Sequence, residues 1–180
     1  MELIKTAIPD VLMIQPRVFT DARGHFFEPF NLRAFQSLGL PTVFVQDNQS
    51  GSAAGVLRGL HFQLPPHSQG KLVRVSRGAV LDVVVDLRKA SPTFGKWVSV
   101  KLTAENFRML WIPEGMAHGF LSLEEMTLFE YKCTGFYHKD AEGSLRWDDP
   151  DLAIDWGIEN PVLSEKDAQA PFFANFNSPF

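Results

Sequence analysis

Histidine, tyrosine, aspartate and lysine are the side chains that move protons or hold developing negative charge near neutral pH. Several of them interrupt apolar runs in this 180-residue chain. Residues 56–71 read VLRGLHFQLPPHSQGK, with Arg58 and His61 among Val, Leu and Phe, and Lys71 just past a proline turn. A buried charge has to be paired or used, because its desolvation costs on the order of several kcal/mol. Arg58 and His61 lie three apart, so strict strand alternation sends them to opposite faces. Gly59 offers relief, since a glycine inside a strand often marks a bulge that re-aims its neighbours. The expectation is an irregularity at Gly59 that turns both side chains into one cavity. The alternative is an exposed Arg58 and a core histidine with its hydrogen bonds satisfied.

The other candidates have two readings each. Tyr131 alternates with Phe129 and Cys133 on one strand face. It is a proton donor if it faces the cavity of His61, and otherwise a buried phenol with one hydrogen bond. Asp167 is either the helix-cap partner of Ser164 or the carboxylate that orients an imidazole, with Asp82 and Asp86 as rivals for that task. His118, in PEGMAHGFLSL, is a ligand contact or a core residue. There is no His-x-His pair, no glutamate at ligand spacing and no cysteine cluster, so the histidines do not form a metal-ligand pattern. His25, His67 and His138 sit in polar, loop-like contexts and are read as exposed. Cys133 is the one cysteine. It excludes an intramolecular disulfide, suits a reducing cytoplasm and reads as a small buried hydrophobe.

These residues must be positioned by strands. VLMIQP, GHFFEPF, TVFVQDN, VLRGLHFQ, KLVRVS, AVLDVVVDLR, KWVSVKL, MLWIP, HGFLSL and TLFEYKCTGFY follow one another, separated by turn chemistry, with QSGSAAG as a small-residue loop. Short β-branched and aromatic runs at this spacing predict an all-β antiparallel sandwich or barrel. In VLDVVVDLR, Leu81, Val83, Val85 and Leu87 share one face, and Val80, Asp82, Val84 and Asp86 the other. Two short helices are expected. In NLRAFQSLG, Asn31 caps, Leu32, Phe35 and Leu38 recur, and Gly39 stops; SEKDAQ begins at Ser164.

Length and the absence of a linker or repeat predict one domain over residues 1–180, with an arm from about 164 to 180 packed on the surface. Net charge is −4 and 45% of residues are hydrophobic, including 16 Phe. That allows a sizeable core, and the lack of a basic tract argues against nucleic acid. No stretch approaches a membrane span or a leader, so a cytoplasmic protein off the membrane is expected.

FVQDNQS, GVLRGLHFQLPPHSQGKLVR, DVVVDLRKASPTFGKW, LWIPEGMAHGF and EYKCTGFYHKDAEGSLRWDDP resemble the dTDP-4-dehydrorhamnose 3,5-epimerase family, nearly end to end from IKTAIPDV to LSEKD. The resemblance implies a cupin-type jelly roll and a homodimer that exchanges N-terminal strand contacts. It implies no metal or organic cofactor. The implied reaction inverts carbons 3 and 5 of dTDP-4-dehydro-6-deoxy-D-glucose to give dTDP-4-dehydro-L-rhamnose. By position, His61 matches the general base, Tyr131 the proton donor and Asp167 the carboxylate paired with the histidine. Lys71 and Arg58 match residues near the sugar ketone. Arg23, Glu28, Gln46, Asn48, His118, Glu142 and Lys166 match other ligand-binding positions.

The chemistry suits these types. Both carbons flank a ketone, so inversion needs a base on one face, an acid on the other and a donor for the enolate oxygen. Lys71, with Arg58 beside it, is the candidate donor. Arg23 is a loop arginine able to fork onto a diphosphate. Phe26 and Tyr137 are candidates to stack on thymine, and Gln46 and Asn48 can both face the ligand. Three rivals stay open: an epimerase acting at one carbon, a metal-dependent cupin enzyme using His61 and His118, and a non-catalytic sugar-binding module.

Overall fold

Residues 79–87 alternate as their sequence requires: Val80 and Val84 enter one apolar cluster, while Val83, Val85 and Leu87 enter another. A strand apolar on both faces must be covered on both sides. The computed structural model, which describes residues 1–180, does this with two antiparallel sheets and a wrapping of chain ends. The strands in chain order are β1 (Glu2–Lys5), β2 (Leu12–Gln15), β3 (Val18–Asp21), β4 (Gly24–Phe27), β5 (Gln46–Ser52), β6 (Leu57–Gln63), β7 (Lys71–Arg77), β8 (Ala79–Asp86), β9 (Trp97–Thr103), β10 (Met109–Ile112), β11 (Met116–Ser122), β12 (Thr127–Cys133) and β13 (Glu142–Ser144). The helices are α1 (Leu32–Ser37) and α2 (Glu165–Ala168).

One sheet has the order β1-β2-β10-β7-β12-β5 and the other β13-β6-β11-β8-β9, while β3 and β4 form a separate hairpin. The sheets face each other across a cluster that includes Val73, Val75, Val80, Val84, Phe120 and Phe129. This is the jelly-roll sandwich of the all-β expectation, open rather than closed into a barrel. The outer face of the second sheet buries Leu60, Val83 and Leu121 under Leu145, Leu152 and Trp156, with Phe173, Phe176 and Phe180 of the tail packed against them. The outer face of the first sheet is covered by Phe35 of α1, with Leu72, Met109 and Trp111 beneath.

Both helices begin where their caps lie. The Asn31 carboxamide accepts from the Ala34 N–H at 3.2 Å, and the Ser164 hydroxyl accepts from the Asp167 N–H at 3.1 Å. Gly39, with φ +69°, follows α1 as the expected stop. The run TVFVQDN departs from expectation. Thr42–Val45 is not a strand, and β5 instead occupies Gln46–Ser52, much of it the stretch read as a loop. The reason is that β5 is an edge strand whose inward side chains meet a polar cavity rather than the core, so its composition mimics a loop.

Candidate active site

Gly59 sets the geometry. His118 on β11 stands opposite His61, but Phe120, two residues on, stands opposite Arg58, three residues back. The extra residue in β6 is a bulge, and it brings Arg58 and His61 to the same cavity. Only glycine fits there: φ is +120°, and an added Cβ would lie 2.6 Å from Gly119 Cα and 2.7 Å from the His118 carbonyl oxygen.

The cavity, about 480 Å³, opens at the mouth of the sandwich. His61, Arg58 and His118 come from the second sheet, and Tyr131, Lys71 and Phe129 from the first. Glu142 from β13 and Lys166 and Asp167 from α2 complete the wall. An adjoining space of about 130 Å³ shares His61, Lys71, Tyr131 and Glu142 and adds Gln46, Asn48 and Tyr137.

His61 Nε2 lies 2.5 Å from Asp167 Oδ1, and the carboxylate is almost fully buried. Burial pushes the Asp167 pKa up, but hydrogen bonds from His61, the Ser164 hydroxyl and the Gly59 N–H outweigh it and hold the carboxyl below its usual range. Asp167 therefore serves both readings, with its N–H capped by Ser164 and its carboxylate on the imidazole. The rivals are engaged elsewhere. Asp82 Oδ2 is 2.9 Å from His118 Nε2, and Asp86 holds Arg88, Ser91 and Thr93.

Burial lowers the Lys71 pKa, against the opposing pull of Cys133, Asp82 and Glu142. The turn before Lys71 is held by Gly70, whose N–H donates to the Thr134 hydroxyl at 2.9 Å. A Cβ at Gly70 would lie 2.4 Å from the Trp111 ring. Tyr131 is half-buried, and burial followed by Cys133 raises its pKa while Arg58 opposes. The phenol is thus neutral at pH 7 and able to donate. Asn48 stands opposite Tyr131 on the neighbouring strand, and Gln46 donates to Asn48 at 2.9 Å. Gln46 also accepts from the Tyr137 N–H, and the Tyr137 hydroxyl donates to Glu142, which pairs with Lys166. Arg58 donates to the Ser52 hydroxyl and the Gly51 carbonyl at the other end of β5.

Three expected ligand positions are not brought into this cavity. Arg23 and Phe26 belong to the β3–β4 hairpin, where the Arg23 side chain is 90% exposed and pairs with Asp21, and Phe26 is 65% exposed. Glu28 lies beyond the hairpin, exposed, accepting from Asn31. Within one chain, none of the three lines the space around His61. His25, His67 and His138 are exposed, and the last two stack with ring centroids 3.9 Å apart. No group of three or more His, Cys, Asp or Glu side chains gathers as a metal cage.

Sequence reasoning missed the Asp82–His118 pair and the apolar part of the wall from Val56, Leu57, Phe120, Val162 and Leu163. A signal for the pair existed: Asp82 alternates with valines on an inward face, which calls for a buried partner. Val162 gave no such signal, because it reaches the site through an isolated parallel bridge to Val56.

A family model described as dTDP-4-dehydrorhamnose 3,5-epimerase matches residues 5–175. An enzyme of that name from Shigella flexneri is 54% identical over 176 residues, covering 97% of both chains. One from Salmonella typhimurium is 56% identical over 173 residues, covering 95% of this chain and 94% of its own. The solved structure of dTDP-6-deoxy-D-glucose-3,5-epimerase from Legionella pneumophila, in complex with dTDP-4-keto-L-rhamnose, superposes with a TM-score of 0.93 at 48% identity. That match covers 98% of this chain and 94% of the other. With likeness of this depth running through both sheets and the tail, the chain belongs to the dTDP-4-dehydrorhamnose 3,5-epimerase family.

Proposed function

We propose that this chain epimerises dTDP-4-dehydro-6-deoxy-D-glucose at carbons 3 and 5, giving dTDP-4-dehydro-L-rhamnose, without a metal or organic cofactor. The observation that carries the reading is the arrangement across the cavity: a carboxylate-buttressed imidazole from one sheet and a neutral phenol from the other, with Lys71 between the same walls. His61 takes the proton from the carbon beside the ketone, and Asp167 stabilises the imidazolium that forms. Lys71, with Arg58, donates to the oxygen that becomes the enolate. Tyr131 returns a proton from the opposite face, which inverts the centre. The apolar residues at the inner end accommodate the 6-deoxy methyl group, while Gln46, Asn48, Tyr137, Glu142, Lys166 and His118 hold the rest of the ligand.

The same proposal makes the protein a cytoplasmic homodimer. Arg23, Phe26 and Glu28 are too far out on the hairpin side to serve their own cavity, and Phe19 and Phe26 expose apolar surface there. An exchanged hairpin would bring them to a partner's nucleotide. Light scattering on the purified protein tests the dimer, and Phe26→Ala should weaken dTDP binding.

Incubation with the keto sugar nucleotide in deuterated water tests the reaction. Deuterium at both carbons with formation of the inverted product is expected; label at one carbon would establish the single-centre rival. Activity abolished by a chelator and restored by a metal would establish the metal-dependent one.

A further inference from the structure

Residues 135–138, between β12 and β13, belong to no strand or helix. Glutamine side chains hold their backbone instead. The Gly135 carbonyl accepts from Gln69 Nε2 at 2.7 Å. The Phe136 carbonyl accepts from Gln63 Nε2 at 3.2 Å, and the His138 N–H donates to Gln63 Oε1 at 2.7 Å. The Tyr137 N–H donates to Gln46 Oε1 at 2.9 Å. Carboxamides thus pin both peptide groups that flank the Tyr137 Cα. Gln63 makes a further bond, from Nε2 to the His67 carbonyl at 2.9 Å. It is buried on β6, two residues beyond His61.

A buried carboxamide is costly unless its hydrogen bonds are made. The Gln63 oxygen meets an N–H and its nitrogen meets two carbonyls, so only one orientation of the amide avoids setting like against like. The His67 carbonyl lies in the turn between β6 and β7, and the other two groups lie in the segment after β12, so Gln63 ties two loops together. On the outer side the His67 and His138 rings close the same gap, stacked with their planes 9° apart. The sheet does not need this clamp, since β6 and β13 pair through their backbones. Tyr137 does. Its ring is 52% exposed where it lines the adjoining space, so little packs against it, and its placement depends on its backbone and on the bond from its hydroxyl to Glu142.

We propose that Gln63 is a positioning residue for the nucleotide: it clamps the two loops so that the Tyr137 ring is already presented when the base arrives. The inference rests on the epimerase reading, in which Tyr137 stacks on thymine. Pre-organisation of this kind lowers the ordering cost of binding and leaves the proton transfers alone.

Gln63→Met keeps the length of the side chain and loses its hydrogen bonds to both loops. In the ligand-free variant, amide exchange followed by NMR should quicken at the Tyr137 and His138 N–H groups while the β6 and β12 amides stay protected. The dissociation constant of dTDP alone and KM for the keto sugar nucleotide should both rise roughly 10-fold. kcat should stay within about threefold of wild type, because the proposed proton-transfer groups are untouched. A double-mutant cycle asks whether Gln63 acts through the ring: in a Tyr137→Ala background, Gln63→Met should change dTDP affinity by less than about twofold. Unaltered exchange at His138, a fall in kcat with KM unchanged, or the full loss of affinity persisting without the Tyr137 ring overturns the proposal. If Gln63→Met does not fold, His67→Ala on the surface loosens the same clamp and should raise the dTDP constant about two- to threefold; an unchanged constant then overturns it. A wild-type protein that binds dTDP but leaves the keto sugar unaltered would sink the epimerase reading, while the exchange and the dTDP titrations, which need no turnover, would still decide the role of Gln63.

Discussion

Asp167→Asn removes the charge behind the proposed base, His61, and keeps the shape. In the wild type the two groups touch, His61 Nε2 to Asp167 Oδ1 at 2.5 Å. Centre to centre, an imidazolium and a carboxylate in such contact lie about 4 Å apart. At an effective dielectric of about 20 they attract by about 4 kcal/mol. The His61 side chain is 33% exposed, so solvent screens part of this; halving it leaves about 2 kcal/mol. At about 1.36 kcal/mol per tenfold in rate, kcat should fall roughly 30- to 1,000-fold. KM should change little, because Asp167 acts through His61. The assay is NMR-followed conversion of the keto sugar nucleotide together with deuterium wash-in, and both carbons should slow in proportion, since the proposed mechanism uses one base for both. A rate within about threefold of wild type, or slowing at one carbon alone, would refute the shared base. Stability gives a control. The Asp167 pKa is lowered on folding, so its contribution is present above the unfolded carboxyl value and is lost as pH falls through the folded one. The amide variant should lack that component of acid sensitivity.

Tyr131→Phe should cost roughly 10²- to 10⁴-fold in product formation while leaving His61-dependent exchange measurable, since proton loss and return on the other face remain possible; equal loss of both would count against the division of roles. Lys71→Met should cost about 2.7–4 kcal/mol in kcat. Because burial lowers the Lys71 pKa and the proposed role requires the ammonium, wild-type kcat/KM should decline with rising pH below the usual lysine range, a limb absent from the Met variant. Gly59→Ala forces a side chain to φ +120° and to within 2.7 Å of backbone atoms; it should lower stability by about 3 kcal/mol or more in chemical denaturation.

The layers were legible because alternation is a local property: the two faces of residues 80–87 meet the two clusters that their sequence demands. The bulge was legible as well, since Gly59 was the one residue that could reconcile Arg58 with His61. Edge strand β5 was misread because its Gln, Asn and Ser side chains serve a cavity, and polarity facing a ligand reads like polarity facing water. The partner of His61 could not be chosen from spacing. Asp82, Asp86 and Asp167 were equal in type, and only the tertiary fold sends α2 to β6 and Asp82 to His118. For Arg23, Phe26 and Glu28 a single chain supplies no contact with the cavity around His61.

The His61–Asp167 contact closes a loop of 106 residues. Contacts of such long sequence separation form late, after the local hairpins have paid their entropy. The dyad cannot exist until the segment carrying Asp167, which follows all the strands, has docked on β6, so a β-sandwich formed without it lacks the partner of the proposed base. Recovery of turnover after dilution from denaturant should accordingly lag behind recovery of sheet signal.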